Sequence, residues 1–343
     1  MSVKKTYRKQ FSILILVLLI CFIANISLGS ISIPLKSIFT SLFGSSIENE
    51  NWQYIIRDYR LPKAFTAIIV GSGLGISGLL MQTLFRNPLA GPFVLGISSG
   101  ASLGVALVIM GASTFGGFLS TIMLSQWSLV AAASLGSFLV LLAVVTVSIR
   151  VRDTMAILII GLMFGSITAA VVSVLSYFSS AEQLQQYIFW GFGSLGNLSW
   201  KELAVLLFVY LLGILISIYS IKRLNTLLLG ENYAKSLGMN IQRSRLVIII
   251  ATSLLAGTIT AFAGPIAFIG LAIPHLTRQI FKTSDHQVLL PAVFLYGAIV
   301  MLICDSIAQV PMSDYTLPIN AITSLIGAPV VIWLLLRQRK MMF

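Results

Sequence analysis

Charge is what this sequence has least of. Only 9% of its 343 residues are charged, 10 of them Asp or Glu, and there are just two His besides, whereas about a quarter of a soluble domain is charged. A soluble globular protein is therefore excluded. Both cysteines, Cys21 and Cys304, fall inside apolar runs, so no disulfide framework is expected. The sequence also has no G-x-x-x-x-G-K-[ST] loop, and with it no means of cradling ATP phosphates in the usual way. Titratable groups are missing from the apolar runs as well. Glu48, Glu50, Asp58, Asp153, Glu182, Glu231, Asp285 and Asp314 fall between them, Glu202 falls at the very edge of one, and only Asp305 and His275 lie near the ends of two. An ion-coupled carrier needs ionisable groups at mid-membrane, where burying them is costly enough that they occur only in use. Energy for any pumping must come from a partner, or the chain is a passive pore.

What the chain does have is apolar length. Hydrophobic residues make up 57% of it, and a bilayer core of about 30 Å needs about 20 of them per helix. Ten stretches meet that description: residues 11–29, 61–84, 94–110, 127–149, 154–178, 201–220, 246–262, 264–281, 288–309 and 319–336. The expected fold is all-α and polytopic. The first stretch is read as a span and not a cleaved leader, because no convincing small-x-small site follows it. With the N-terminus inside, 17 of the 22 Lys and Arg face the cytoplasm, and only Lys36, Arg57, Arg60, Lys63 and Lys201 lie outside. Both termini are thus cytoplasmic. The net charge of +12 follows from this bias and anionic lipid, with no nucleic-acid partner. Residues 1–343 read as a single transmembrane domain with an external loop at 30–59 and a cytoplasmic loop at 221–245. Leu35, Ile38, Phe39, Leu42 and Phe43 in the external loop share one helical face, which suits a helix lying on the membrane surface or an ordinary packed connector.

The stretch from Arg60 to Ala101 packs most information into one place. Gly71, Gly75 and Gly78 with Ser72 and Ser77 leave a small-residue surface for close helix packing, as do Gly100 with Gly104 and Gly161 with Gly165. Asn87 and Pro88 stop the second span at its cytoplasmic end. The echo of AGPFVLG from Ala90 in AGPIAFIG from Ala263 hints at an inverted repeat. In the cytoplasmic loop, Leu227 to Leu237 reads as a short amphipathic helix with Gly230 and Gly238 permitting sharp turns, a knob suited to a groove on an ATPase. The alternative is a basic loop against lipid headgroups.

These motifs resemble the FecCD-type permeases of binding-protein-dependent ABC importers, which carry iron-siderophores, haem and cobalamin. The resemblance rests on RLPK at Arg60, GSGLGISGLLMQ at Gly71, RNPLAGPFVLGISSGA at Arg86, LLGENYAKSLG at Leu228, FIGLAIPHLTR at Phe268 and IGAPVVIWLLL at Ile326. It implies a type II ABC importer permease with about ten helices, assembled with a second permease subunit, two copies of a cytosolic ABC ATPase and an extracytoplasmic siderophore-binding protein. It implies no cofactor or metal of the chain's own, since ATP and Mg belong to the ATPase. Arg60 and Lys63, three apart at the outer start of the second span, share a helical face pointing away from the membrane, and with the family in view they resemble the socket that pairs with acids on the binding protein. Gln309 stands where many relatives have arginine, Thr316 where they have glutamate and Asn320 where they have glycine. The missing cation weakens the socket and points to a heterodimer. Gly230, Ala234, Leu237 and Gly238 fall to ATPase coupling, and Arg150, Val151, Arg152, Asp153 and Thr154 to an inner gate by position. The expected activity is import of a ferric siderophore across the cytoplasmic membrane, with haem or cobalamin as the alternative within the family. An ion-coupled secondary transporter and a non-transporting scaffold or sensor subunit are the alternatives outside it.

Overall fold

A backbone in hydrocarbon has no water to bond, so each span must satisfy its own N–H and C=O groups as a helix. The computed structural model describes residues 7–31, 33–42, 50–111, 125–150, 154–311, 313 and 315–337, and they are helical almost throughout. In chain order the helices are α1 (Arg8–Ser27), α2 (Leu35–Leu42), α3 (Glu50–Tyr54), a π-helical turn (Ile55–Arg60), α4 (Leu61–Leu84), a 3-10 turn (Pro92–Leu95), α5 (Ile97–Gly111), α6 (Gln126–Arg150), α7 (Thr154–Tyr177) and α8 (Ala181–Gly191). There follow α9 (Trp200–Tyr219), α10 (Ile221–Leu228), α11 (Glu231–Ser236), α12 (Ile241–Ala263), α13 (Ile269–Phe281), α14 (His286–Ala308) and α15 (Ile319–Arg337).

Each of the ten expected spans meets a helix, and among the described residues seven helices are long and apolar enough to cross a membrane by length and composition. At two of the boundaries that moved, a polar contact accompanies the shift. Helix α12 starts at Ile241, earlier than expected, because the Asn240 side chain accepts the Arg243 N–H at 2.9 Å and caps it. Helix α13 starts late, at Ile269, because Gly264 and Pro265 break the chain and the Asn320 carboxamide oxygen accepts the Ala267 N–H at 3.0 Å. Its 13 residues rise only about 20 Å. The two echoed Ala-Gly-Pro motifs each follow a long helix, α4 or α12, and lead to a short one, α5 or α13.

The chain forms two compact units. In the unit built from Met1–Ile76, Ser194–Phe208 and Ile266–Phe343, α1 packs on α14 through Leu14, Val288, Ala292 and Ile299, with Phe281 beside them. Glycine sets the approach of α4 to α14. A side chain on Gly71 would run into the backbone carbonyl of Gly297, so the two backbones touch. In the unit built from Ser77–Gly193 and Val209–Pro265, α5 and α6 make the same kind of contact through Gly100 and Gly136, and Gly104 lies against the Ala132 carbonyl. Gly161 of α7 lies against the Val94 carbonyl. The glycine patterns of the sequence are therefore packing devices.

Candidate functional site

The outer corner begins with a missing donor. Pro62 has no N–H, and just before it the helix widens into a π turn in which the Leu61 N–H reaches back five residues to the Ile56 carbonyl. That widening frees the Arg57 carbonyl, and the Trp200 indole N–H takes it at 3.0 Å. The extra residue in the turn also sets which side chains face inward. Arg60 is buried, and its guanidinium donates to the Ile26, Ser27 and Ile31 carbonyls at 2.8, 2.9 and 2.5 Å, closing the end of α1.

One turn further, the Lys63 ammonium pairs with Asp305 Oδ1 at 3.2 Å. The other carboxylate oxygen, Oδ2, accepts from the Asn25 amide at 2.9 Å and the Gln309 amide at 2.8 Å. Asn25, Lys63, Asp305 and Gln309 are all buried, so an ion pair and two amides share one carboxylate in a setting where losing any partner is costly. The sequence suggested that Arg60 and Lys63 face away from the membrane core. The structure turns both inward, because α1 offers carbonyls and Asp305 a carboxylate within reach. Gln309 lies at the same corner as a neutral fourth member, and Asn320 serves the Ala267 N–H. An incoming carboxylate would compete with Asp305 for Lys63 and with three carbonyls for Arg60. The cations beside this corner that show to solvent are Lys36, Lys201 and, in part, Arg57.

The cytoplasmic knob is differently built. Leu227 to Leu237 is not one helix, because α10 ends at Leu228 and α11 starts at Glu231. Gly230 makes the break with φ 103° and ψ 149°, a conformation that a side chain would strain. Gly238 closes α11 at φ 80°, where the Met239 N–H returns to the Ala234 carbonyl at 3.0 Å. The Arg245 guanidinium meets Glu231 at 3.3 Å, holding α11 to the start of α12. Leu224, Leu227 and Ala234 anchor the knob from beneath. Outward, Leu229, Tyr233 and Leu237 are 61, 55 and 60% exposed, Tyr233 and Leu237 one turn apart on α11 and Leu229 just before the break. Of the expected coupling residues, Leu237 is at this surface and Ala234 is under it. Leu229 and Tyr233 were not expected at this surface; the spacing of four between Tyr233 and Leu237 was there to find, whereas Leu229 lies across the break at Gly230.

Of the expected inner gate, residues 151–153 lie outside the described residues. Arg150 and Thr154 are the last residue of α6 and the first of α7.

Set against known proteins, residues 17–337 match the model of the FecCD transport family. The chain is 35% identical to the hemin transport system permease protein HmuU of Yersinia pestis, over 97% of each protein. It is 38% identical to the vitamin B12 import system permease protein BtuC of Klebsiella pneumoniae, over 84% of each. A solved structure described as a metal-chelate type ABC transporter in an inward-facing conformation superposes with a TM-score of 0.83 at 32% identity, covering 96% of this chain and all of that one.

Proposed function

This chain belongs to the FecCD transport family and is a multi-pass membrane permease of the metal-chelate, haem and cobalamin type of ABC importer, and we propose that its cargo is a ferric siderophore. The observation that carries a chelate, and not a bare ion, is the poverty of ligands. Among the described residues no group of three His, Cys, Asp or Glu is arranged to hold a metal ion, so iron would arrive already wrapped.

Transport then runs as follows. An extracytoplasmic binding protein brings the chelate to the outer face and docks at the corner of Arg60, Lys63 and Gln309, where its acids compete with Asp305. Two cytosolic ATPase subunits grip the knob at Leu237, on the surface that Gly230 and Gly238 bound and Ala234 supports from beneath. Their ATP cycle, with Mg and nucleotide bound on the ATPase alone, tilts the helices between outward and inward openings. The loop from Arg150 through Val151, Arg152 and Asp153 to Thr154 closes the inner end. A second, non-identical permease with a fuller set of outer cations completes the pathway.

The test is uptake by cells lacking this chain of three separate cargoes, ferric siderophores and haem labelled with radioactive iron and cobalamin labelled with radioactive cobalt. Loss of ferric siderophore uptake alone is expected. Loss of haem or cobalamin uptake alone would reassign the cargo, and uptake that survives ATP depletion but stops with a protonophore would refute ATP coupling. Purification from native membrane should yield a second permease, and two copies of this chain with no other permease would refute the heterodimer.

A further inference from the structure

Arginine stands where the end of α4 calls for glycine. The Arg86 N–H returns to the Thr83 carbonyl at 3.3 Å and the Asn87 N–H to the Gln82 carbonyl at 3.1 Å, the paired bonds that close a helix through one left-handed residue. That residue is Arg86, at φ 48°, and glycine takes such a conformation without the strain a side chain brings. The turn beyond it is firmly tied. Asn87 Oδ1 accepts the Leu89 N–H at 2.9 Å, the Asn87 carbonyl accepts the Ala90 N–H at 3.1 Å, and Pro88 has no N–H to place. Nothing in this backbone favours an arginine, so the reason for one lies in its side chain.

The guanidinium reaches the knob. Arg86 Nη1 lies 3.6 Å from the point that a β-carbon on Gly230 would occupy, so it rests on bare backbone at the break between α10 and α11. Gly230 comes two residues after the end of α10 at Leu228, and the carbonyl end of a helix favours a cation. The ion pair of Glu231 with Arg245 ties α11 only to the next helix in sequence. Arg86 instead arrives from the end of a span far away in the chain. A cation that served lipid headgroups alone would need neither a left-handed backbone nor a seat on the knob, since Lys222 and Arg243 are exposed from ordinary helix.

We propose that Arg86 is a positioning residue for ATP coupling: mounted on the tied turn at the end of α4, its guanidinium steadies the break at Gly230 and passes movement of the knob into that span. The proposal rests on the reading of the knob as the ATPase grip. It separates stability from coupling at a single position. Arg86→Gly relieves the backbone at φ 48° while removing the link to Gly230, so the variant should fold as well as the parent and couple poorly. An arginine kept only for packing would show the two falling together.

The test uses the complete importer in proteoliposomes of neutral and of anionic lipid, with ferric trihydroxamate, ferric tris-catecholate, haem and cobalamin each offered as cargo. In Arg86→Gly, transport per ATP hydrolysed should fall about tenfold, with the ATPase still co-purifying and the denaturant midpoint at the parent's value. Arg86→Lys should recover at least half of the loss. Transport per ATP at the parent level in Arg86→Gly, or a loss that Arg86→Lys shares in full, would overturn the role. A lowered midpoint or a lost ATPase would reduce Arg86 to a structural residue, and a loss confined to anionic vesicles would make it a lipid anchor. Either outcome overturns the proposal. Leu237→p-benzoylphenylalanine, irradiated in the otherwise unchanged complex, checks the reading beneath: a cross-link to the ATPase upholds the grip, and its absence overturns the grip and the proposal with it. A parent importer that carries none of the four cargoes overturns the chelate reading itself.

Discussion

Replacing Lys63 by methionine keeps most of the side-chain stem and removes the ammonium that pairs with Asp305 at 3.2 Å. Stripping one partner from a buried ion pair costs about 3–5 kcal/mol, because the other charge stays behind uncompensated. Here Asp305 keeps two amide donors, from Asn25 and Gln309, so the loss should fall at the low end, about 3 kcal/mol. Asp305→Asn should cost a similar amount, since it strands the ammonium of Lys63. The double variant Lys63→Met/Asp305→Asn strands neither charge and should cost little more than one single change, giving a coupling of about 2–3 kcal/mol. Denaturant titration of the purified permease in mixed micelles, run on all four proteins, measures that coupling. If the two single costs simply add, or if Lys63→Met is as stable as the parent, the shared-carboxylate account of the corner is wrong.

Three further outcomes follow from the same geometry. Trp200→Phe keeps the ring but orphans the Arg57 carbonyl, and should lower stability by about 1 kcal/mol in the same titration. Gly238→Val forces a side chain into φ 80°, at about 1–2 kcal/mol, and should let ATP hydrolysis run without transport in reconstituted vesicles. Alanine at Leu229, Tyr233 and Leu237 together removes the exposed apolar side of the knob and should weaken ATPase retention on the permease more than tenfold by co-purification, with folding unchanged. Retention at the parent level would move the grip elsewhere.

The ten spans were legible because hydrocarbon leaves a chain few options, and composition alone reports that constraint. The glycine contacts at Gly71 and Gly100 were legible for the same reason, since small residues in a span serve close approach. The outer corner was not. Arg60 and Lys63 at a spacing of three imply one exposed face only if the helix is regular, and the π turn is a tertiary compromise among Pro62, Trp200 and Asp305. Pro62 was the visible signal, as a proline that near a helix start leaves an upstream carbonyl looking for a donor. The knob was half legible. Its glycines promised turns, but not that Gly230 would sit inside the amphipathic stretch and split it, which depends on Leu224, Leu227 and Ala234 all finding cover. The late start of α13 depended on Asn320, a residue 53 positions away, which no local pattern could reveal.

The widened turn at Ile55–Arg60 holds one residue more than a regular helix needs. Deleting a single codon there would let the helix wind evenly and swing everything N-terminal to it by about 100° around the axis. Trp200 would lose the carbonyl it holds, and the short helices that approach the membrane from outside would be re-aimed with no side chain of the corner replaced. Insertion and deletion, more than substitution, are thus the cheap routes by which such a permease could be refitted to a new delivery protein.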